Sequence, residues 1–399
     1  MAHPIRYLSA PPSHAELVIV GGGVVGAATA FYASVAGLRP LLLERRPALA
    51  TLTTPASTGA FRLQFDNREE LDLVRRSVEL FLDFPEQTGQ SAYDLEVRRA
   101  GYLWLTTSEQ GVERQRRLVD RQRSWGLQDV ELLSGDEVRK RFPHVGRNVL
   151  QGRFRQEDGF LDPKRLAMGL VAGSRATVVT GCTVTGFRLG GGRLTAVETS
   201  SGVVDTDCAV IAAGPFSGLV AAAAGVELPL TTVVRQKVVL PQVPQVPGRA
   251  PMTIDEDTGA HWRPALQGAY LLFTDPSTPP SPPAEDLHPE HAFAFRLLDP
   301  ASPVSVARVS PFWEEVWRRG DVHLLLQAGQ YTMTPDHRPF LGQTEVEGLY
   351  VNTGYSGHGI MGSPAGSRHL VEVVTGKVRA ENNPFRLDRV FQERERDVL

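Results

Sequence analysis

Gly21, Gly23 and Gly26 fall in the spacing G-x-G-x-x-G, directly after the apolar, β-branched run Leu17-Val18-Ile19-Val20. That spacing suits one piece of chemistry. The first glycine permits a tight turn, the second lets backbone approach a pyrophosphate, and the third lets a helix pack closely on a strand. Residues 24–36 are small and apolar, as a helix packed on a sheet requires. Its start at Val24 and Val25 offers free N–H groups and a positive dipole end to phosphates. Gly37 ends that helix. Pro40-Leu41-Leu42-Leu43 is a second strand, closed by Glu44 and followed by Arg45. A carboxylate at this place accepts hydrogen bonds from ribose hydroxyls and disfavours a 2′-phosphate. The set reads as one strand–helix–strand unit of about thirty residues, built to hold a dinucleotide, FAD or NAD.

Other elements must hold this turn and face it. Asn67 with Glu70 caps a helix predicted to stop at Pro85, with Leu71, Val74, Val78 and Phe81 on one face. Residues 102–105 read as a strand, and 108 to about 126 as a helix. Ser134-Gly135-Asp136-Glu137 is a capping box. Strand-like runs return at 178–184, 194–198, 208–213, 233–240, 270–273 and 324–327. A second glycine-rich turn spans 354–362. Prolines are dense over 242–290, notably Pro279-Pro280-Ser281-Pro282-Pro283. Such a run forms neither regular strand nor helix and is read as a surface loop.

The 399 residues are long for one hydrophobic core, so two domains are expected. Hydrophobic residues at 42% and charged residues at 22% describe an ordinary globular protein. A net charge of -3 gives no reason to expect a nucleic-acid partner. Two cysteines, Cys182 and Cys208, with no CxxC spacing and no Cys/His cluster, argue against a metal site and suit a reducing compartment. The apolar stretch 17–36 is broken by four glycines, so no membrane span is expected there. Residues 1–13 lack the basic head and apolar run of a signal peptide and read as a short disordered lead. A cytoplasmic protein is the expectation.

Five further segments, in order, resemble the D-amino-acid oxidase-like FAD family, on its sarcosine oxidase, glycine oxidase and proline dehydrogenase side. Arg155-Gln156-Glu157-Asp158-Gly159-Phe160-Leu161-Asp162-Pro163 is similar to the family's DG-x-x-DP lead into a helix. Val210-Ile211-Ala212-Ala213-Gly214-Pro215 is similar to its AAG strand end beside the cofactor. Thr253 to Gly259, with Trp262-Arg263-Pro264, resembles its substrate-domain strand pair. Tyr331-Thr332-Met333-Thr334-Pro335-Asp336 and Gly354-Tyr355-Ser356-Gly357-His358-Gly359 resemble its C-terminal flavin segments. The resemblance covers Leu17 to about Gly376.

The resemblance implies an α/β fold with two discontinuous domains. A Rossmann-like FAD-binding domain would take 14–90, 148–230 and 322–399. A substrate domain with an antiparallel β-sheet would take 91–147 and 231–321. It also implies the chemistry: hydride leaves a C–N-bearing carbon of an amino acid or secondary amine for flavin N5, giving an imine that water hydrolyses. Oxygen or a dye- or quinone-like acceptor would then take the electrons. Ser57, Thr58, Gly59, Val184, Ala213, Gly214, Gly357, His358, Gly359, Ile360 and Met361 would contact the cofactor. The family's sarcosine oxidase-like members carry a lysine where Met361 stands, so dehydrogenase behaviour is as much expected as oxidase behaviour. Their tethering cysteine falls here at Gly329 or Gln330, and the loop 54–59 has no histidine, so non-covalent FAD is expected. Two alternatives stand beside this reading. One is a partner-dependent flavin subunit docking through 275–290; the other is an NAD-dependent dehydrogenase.

The same resemblance and the residue types nominate the catalytic side chains. Arg62 matches a family arginine near the flavin ring. Tyr331 matches a tyrosine lining the substrate pocket. Arg263, on a substrate-domain strand, suits a substrate carboxylate. His358, between two glycines, suits a bond to the ring or its anion. His261 is a weaker candidate for deprotonating the amine. Arg338 reads as a partner in an ion pair.

Overall fold

The computed structural model describes residues 5–391. Two large sheets organise them. The first has seven strands in the order Arg6–Tyr7, Thr177–Thr180, Pro40–Glu44, Leu17–Val20, Ala209–Ile211, Leu349–Thr353 and Phe340–Gln343. Every pairing is parallel except the last. A parallel sheet needs cover on both faces, so its strands are apolar throughout. Helix Val24–Val35 covers one face, with Ala27, Ala28, Ala30 and Ala33 wholly buried. Helices Pro163–Ala172 and Gly359–Val374 pack beside it. Val18, Val20, Leu41, Leu43 and Ile211 form a separate core on the opposite face.

The second sheet has eight strands: Leu325–Met333, Thr231–Leu240, Gly268–Phe273, Ala260–Ala265, Met252–Asp255, Tyr102–Thr106, Gln151–Arg155 and Glu131–Ser134. It is antiparallel as expected, save for the parallel pairing of Met252–Asp255 with Tyr102–Thr106. Alternation along its strands sorts side chains to two faces. Val238, Leu240, Trp262, Leu271 and Phe273 pack under helices His291–Leu298 and Phe312–Arg319, around Leu297 and Trp313. The intervening residues Arg235, Lys237, Tyr270, Leu272 and Arg263 therefore turn to the other face, toward the first sheet.

Local readings of the sequence hold in most places. The Asn67 side chain accepts from the Glu70 N–H at 2.9 Å, and the Ser134–Glu137 capping box forms. The helix behind Asn67 ends at Leu82 and not at Pro85. Pro85 instead sits at the start of a separate short helix, Phe84–Thr88, because a proline has no N–H with which to continue the first. The run 178–184 is two strands, Thr177–Thr180 and Val184–Gly190, divided at Gly181 with φ 68°.

The N-terminal lead needs correction. Residues 1–4 lie outside the described residues, but Arg6–Tyr7 pairs with Thr177 and Val178 as the edge strand of the first sheet. An open sheet edge presents unpaired N–H and C=O groups, and this segment satisfies them. Gln151–Arg155 and Leu325–Met333 hydrogen-bond within the second sheet. We therefore propose a division of the chain that gives both strands to the substrate domain; residues 392–399 lie outside the described residues. Among the described residues, no helix is long and apolar enough to cross a membrane, and no group of three or more His, Cys, Asp or Glu side chains is arranged to hold a metal ion.

Candidate active site

One cavity of about 420 Å³ runs between the two sheets. Its floor begins at the glycine turn. Gly21 has φ 111°, and a Cβ on it would lie 2.6 Å from the Ala212 carbonyl oxygen. A Cβ on Gly26 would lie 1.8 Å from the Gly21 carbonyl oxygen, so only glycine lets the helix sit this close. Thr54 Oγ1 accepts from the Val24 N–H at 3.1 Å. Among the described residues, the N–H groups of Val25 and Gly26 have no protein acceptor, and they sit at the positive end of the helix dipole. Glu44 ends its strand as predicted, with its carboxylate fixed by the N–H groups of Gly22 at 2.7 Å and Arg46 at 2.8 Å. A diphosphate fits the free N–H groups, and a ribose fits the carboxylate.

The far end is built from the second sheet. Arg235, Lys237 and Leu272 line it, with Gly329, Gln330 and Tyr331 from the neighbouring strand. The Tyr331 ring packs on Gly357, where a Cβ would come within 2.5 Å of it. Lys237 is 3% exposed. Its Nζ donates to the carbonyl oxygens of Ser57 at 2.9 Å and Pro55 at 3.3 Å, and lies 4.5 Å from the centre of the Tyr270 ring. Burial pushes its ammonium down to about 7, and the neighbouring Arg263 adds to the shift. Arg235 lies 5.8 Å from the Tyr331 ring centre, and burial lowers its pKa also.

The nominated residues divide by position. Gly21, Gly23, Val24, Val25, Glu44, Arg45, Ser57, Thr58, Val184, Ala213, Gly214, Gly357, Gly359, Ile360 and Tyr331 all line the cavity. Gly26 and Gly59 stand just behind it: a Cβ on Gly59 would meet the Leu161 carbonyl oxygen at 2.0 Å. Met361 is buried in the apolar core beside Tyr355 and Ile360, off the cavity wall. Arg62 is buried rather than a surface charge, at 2% exposure. Its guanidinium donates to the Gln64 carbonyl at 2.7 Å and meets His358 Nε2 at 3.2 Å. A guanidinium has no acceptor, so Nε2 carries the lone pair and the ring proton is on Nδ1, on the Glu70 side at 3.6 Å. Arg62 and His358 thus form a pair behind the glycine turn at Gly357.

Arg263 and His261 are committed elsewhere. Arg263 donates through Nε and Nη2 to the Thr58 carbonyl, at 2.9 and 2.6 Å, and through Nη1 to the Pro264 carbonyl at 2.8 Å. It holds a cavity-lining loop and does not itself line the cavity. His261 Nδ1 lies 2.9 Å from the Gly259 carbonyl oxygen. Burial drives its ring down to about 4, so it is neutral near pH 7. Arg338 makes its expected ion pair, with Glu69 at 3.0 Å.

Several lining residues escaped the sequence reading: Thr54, Arg46, Phe216, Arg235, Lys237 and Gln330. Lys237 left a signal. The chain has only four lysines, and this one alone lies within a strand-like apolar run.

Comparison with known proteins adds the family. Residues 16–373 match the family described as "DAO: FAD dependent oxidoreductase". The chain belongs to this family. It is an FAD-dependent oxidoreductase, which sets aside the NAD alternative. FAD-dependent oxidoreductase domain-containing protein 1 of Xenopus laevis is 27% identical over 91% of this chain and 80% of its own length. Mitochondrial sarcosine dehydrogenase of Mus musculus is 26% identical over 88% of this chain, which spans only 38% of that protein. Among solved structures, L-proline dehydrogenase from P. horikoshii superposes with a TM-score of 0.81 at 23% identity, covering 95% of this chain and 96% of that one. Glycine oxidase from Bacillus cereus does so with 0.78 at 21%, covering 95% and 100%. These structural likenesses establish the fold.

Proposed function

We propose that the protein oxidises the C–N bond of an amino acid or secondary amine to an imine, using non-covalent FAD. One observation carries this reading: the cavity that starts at the phosphate-binding turn ends at a wall of Arg235, Lys237 and Tyr331. Glu44 is the only acidic side chain on the cavity wall among the described residues, and it stands at the opposite end. A cationic wall beside an aromatic hydroxyl suits a substrate with a carboxylate. The relatives support the class, being named for sarcosine, dimethylglycine, proline and glycine.

Bound FAD supplies the two-electron oxidant. The chain's residues bind and orient. Lys237, with an ammonium that titrates near neutrality, is placed to hold or release a proton at Nζ. Tyr331 and Gly357 shape the wall against which a small substrate rests. Gly329 and Gln330 carry no nucleophile, and Thr53 to Gly59 contain no histidine, which supports a cofactor without a covalent tether. We take oxygen or a dye- or quinone-like acceptor as the electron sink. Cys182 and Cys208 are free thiols, on which we infer a cytoplasmic location.

Anaerobic mixing with amino acids, N-methyl amino acids, cyclic imino acids and simple amines tests the reading. Flavin absorbance should bleach with at least one carboxylate-bearing amine. Bleaching by none of them refutes the amine assignment.

A further inference from the structure

The Pro-rich segment has no role in the reading above. The run 279–283 is a surface loop, as expected, but the wider stretch 242–290 is not: it carries the strands Met252–Asp255, Ala260–Ala265 and Gly268–Phe273, and the loop itself is fastened. The Ser281 N–H donates to the Thr232 carbonyl at 2.9 Å, and the Thr232 hydroxyl donates to the Ser281 carbonyl. Gln330 is 2% exposed and commits its whole amide to the segment. Its Nε2 donates to the Pro282 carbonyl at 2.7 Å and to Ser281 Oγ at 3.1 Å, and its Oε1 accepts from the Ala284 N–H at 2.9 Å. The next residue, Glu285, reaches the other sheet. Its carboxylate pairs with Arg45 Nη2 at 2.9 Å and with the Arg46 guanidinium.

Those anchors lie on opposite walls of one cavity. Gln330 belongs to the second sheet; Arg45 and Arg46 follow Glu44 at the end of a strand of the first. Residues 282–285 therefore tie the two walls together. The prolines suit this task, since their fixed φ leaves less backbone freedom to lose when the segment is held. Arg45 also lies over the Phe216 ring, its guanidinium carbon 3.7 Å from the ring centre. Glu285 fixes the guanidinium in that stack, at the ribose end of the cavity beside Glu44.

We propose that residues 279–285 are a strap closing the cofactor cavity, with Glu285 as the positioning residue that clamps Arg45 and Arg46 across it. FAD leaves only when this clamp opens. The proposal rests on the cofactor assignment and not on the substrate.

The test follows release of FAD from the diluted holoprotein by recovery of flavin fluorescence, for the natural protein and Glu285→Gln. Glu285→Gln should release FAD roughly 3–10-fold faster, the range expected for losing two partly exposed ion pairs. Rising salt should speed release from the natural protein toward the variant's rate and leave the variant nearly unchanged. Glu285→Asp, which keeps the charge on a shorter arm, should fall between the two. Tryptophan emission, followed in parallel, separates release from unfolding. Equal release rates overturn the proposal. So does salt acceleration of both proteins alike, or loss of FAD from the variant only in step with the tryptophan signal. A natural protein that holds no FAD would overturn the cofactor assignment itself.

Discussion

The two ends of the cavity are built on opposite plans. At the phosphate end, six consecutive residues, Gly21 to Gly26, supply the turn, the free N–H groups and the helix dipole. The formal cations nearby, Arg45 and Arg46, follow Glu44 and are paired with Glu285. At the far end, formal cations are brought in and buried. Lys237 and Arg263 come from different strands, lie 4.5 and 4.6 Å from the centre of the Tyr270 ring, and donate to the carbonyls of Pro55, Ser57 and Thr58. Neither has a carboxylate within ion-pair distance among the described residues. The first plan is local, so backbone geometry enforces it. The second depends on register: Lys237 opposite Leu272, and Arg263 opposite Tyr270. A site that must grip an invariant cofactor is specified by adjacent residues. The end proposed to suit one substrate draws on distant ones.

Substitutions should break the two ends differently. The largest effect is expected from Gly26→Val. Its side chain has no room, since even a Cβ would sit 1.8 Å from the Gly21 carbonyl oxygen. Overpacking costs of 1–3 kcal/mol or more are usual, and here the shift lands on the phosphate turn itself. The variant should purify with less than about a tenth of the natural FAD content, read from the flavin-to-protein absorbance ratio. Normal content would show that the turn is more tolerant than its geometry allows.

Arg263→Leu should come next. It strips the Thr58 carbonyl of two charged donors and leaves the cavity loop unheld. Hydrogen bonds to charged groups contribute about 1.5–3 kcal/mol, so a loss of about 2–3 kcal/mol by urea unfolding is expected, with weaker FAD binding. Arg263→Lys should recover only part, because an ammonium cannot reproduce the forked contact.

Lys237→Met probes the far end through pH. Burial lowers the Lys237 pKa in the folded protein to about 7 from 10.5. Between those values the unfolded chain binds the proton more, so folding gains stability as pH rises. The natural protein should therefore stabilise relative to Lys237→Met from pH 7 to 9, by up to about 1.4 kcal/mol per pH unit. Flat difference curves would mean that the lysine stays charged. The rate of substrate bleaching should lose a titration near pH 7 in the same variant.

Much of the phosphate end was legible in the sequence. The glycine spacing, the apolar strands and Glu44 form one contiguous signal, and the glycines, Val20, Leu43 and Glu44 line or back the cavity. The five ordered motifs gave the family as well. The far end was legible only in part. Tyr331 and Gly357 lie within motifs and do face the cavity. Arg62 was matched to a family arginine, and Arg263 and His261 were chosen for their chemistry; their side chains are engaged by nearby carbonyls or by His358. Met361 was weighed as a cavity residue, but helix Gly359–Val374 turns it into the core. Position in a motif does not say which way a helix presents a side chain.

The dinucleotide turn, the α/β character and the FAD family are readable from residue order alone, because those rest on neighbours along the chain. That Lys237 and Arg235 face the cavity, and that Arg263 grips a loop, emerges once the chain is folded. So does the reach of Glu285 to Arg45 and Arg46. Those facts depend on strand register and on segments far apart in the chain, and side-chain alternation makes a one-residue slip reverse every one of the strand positions.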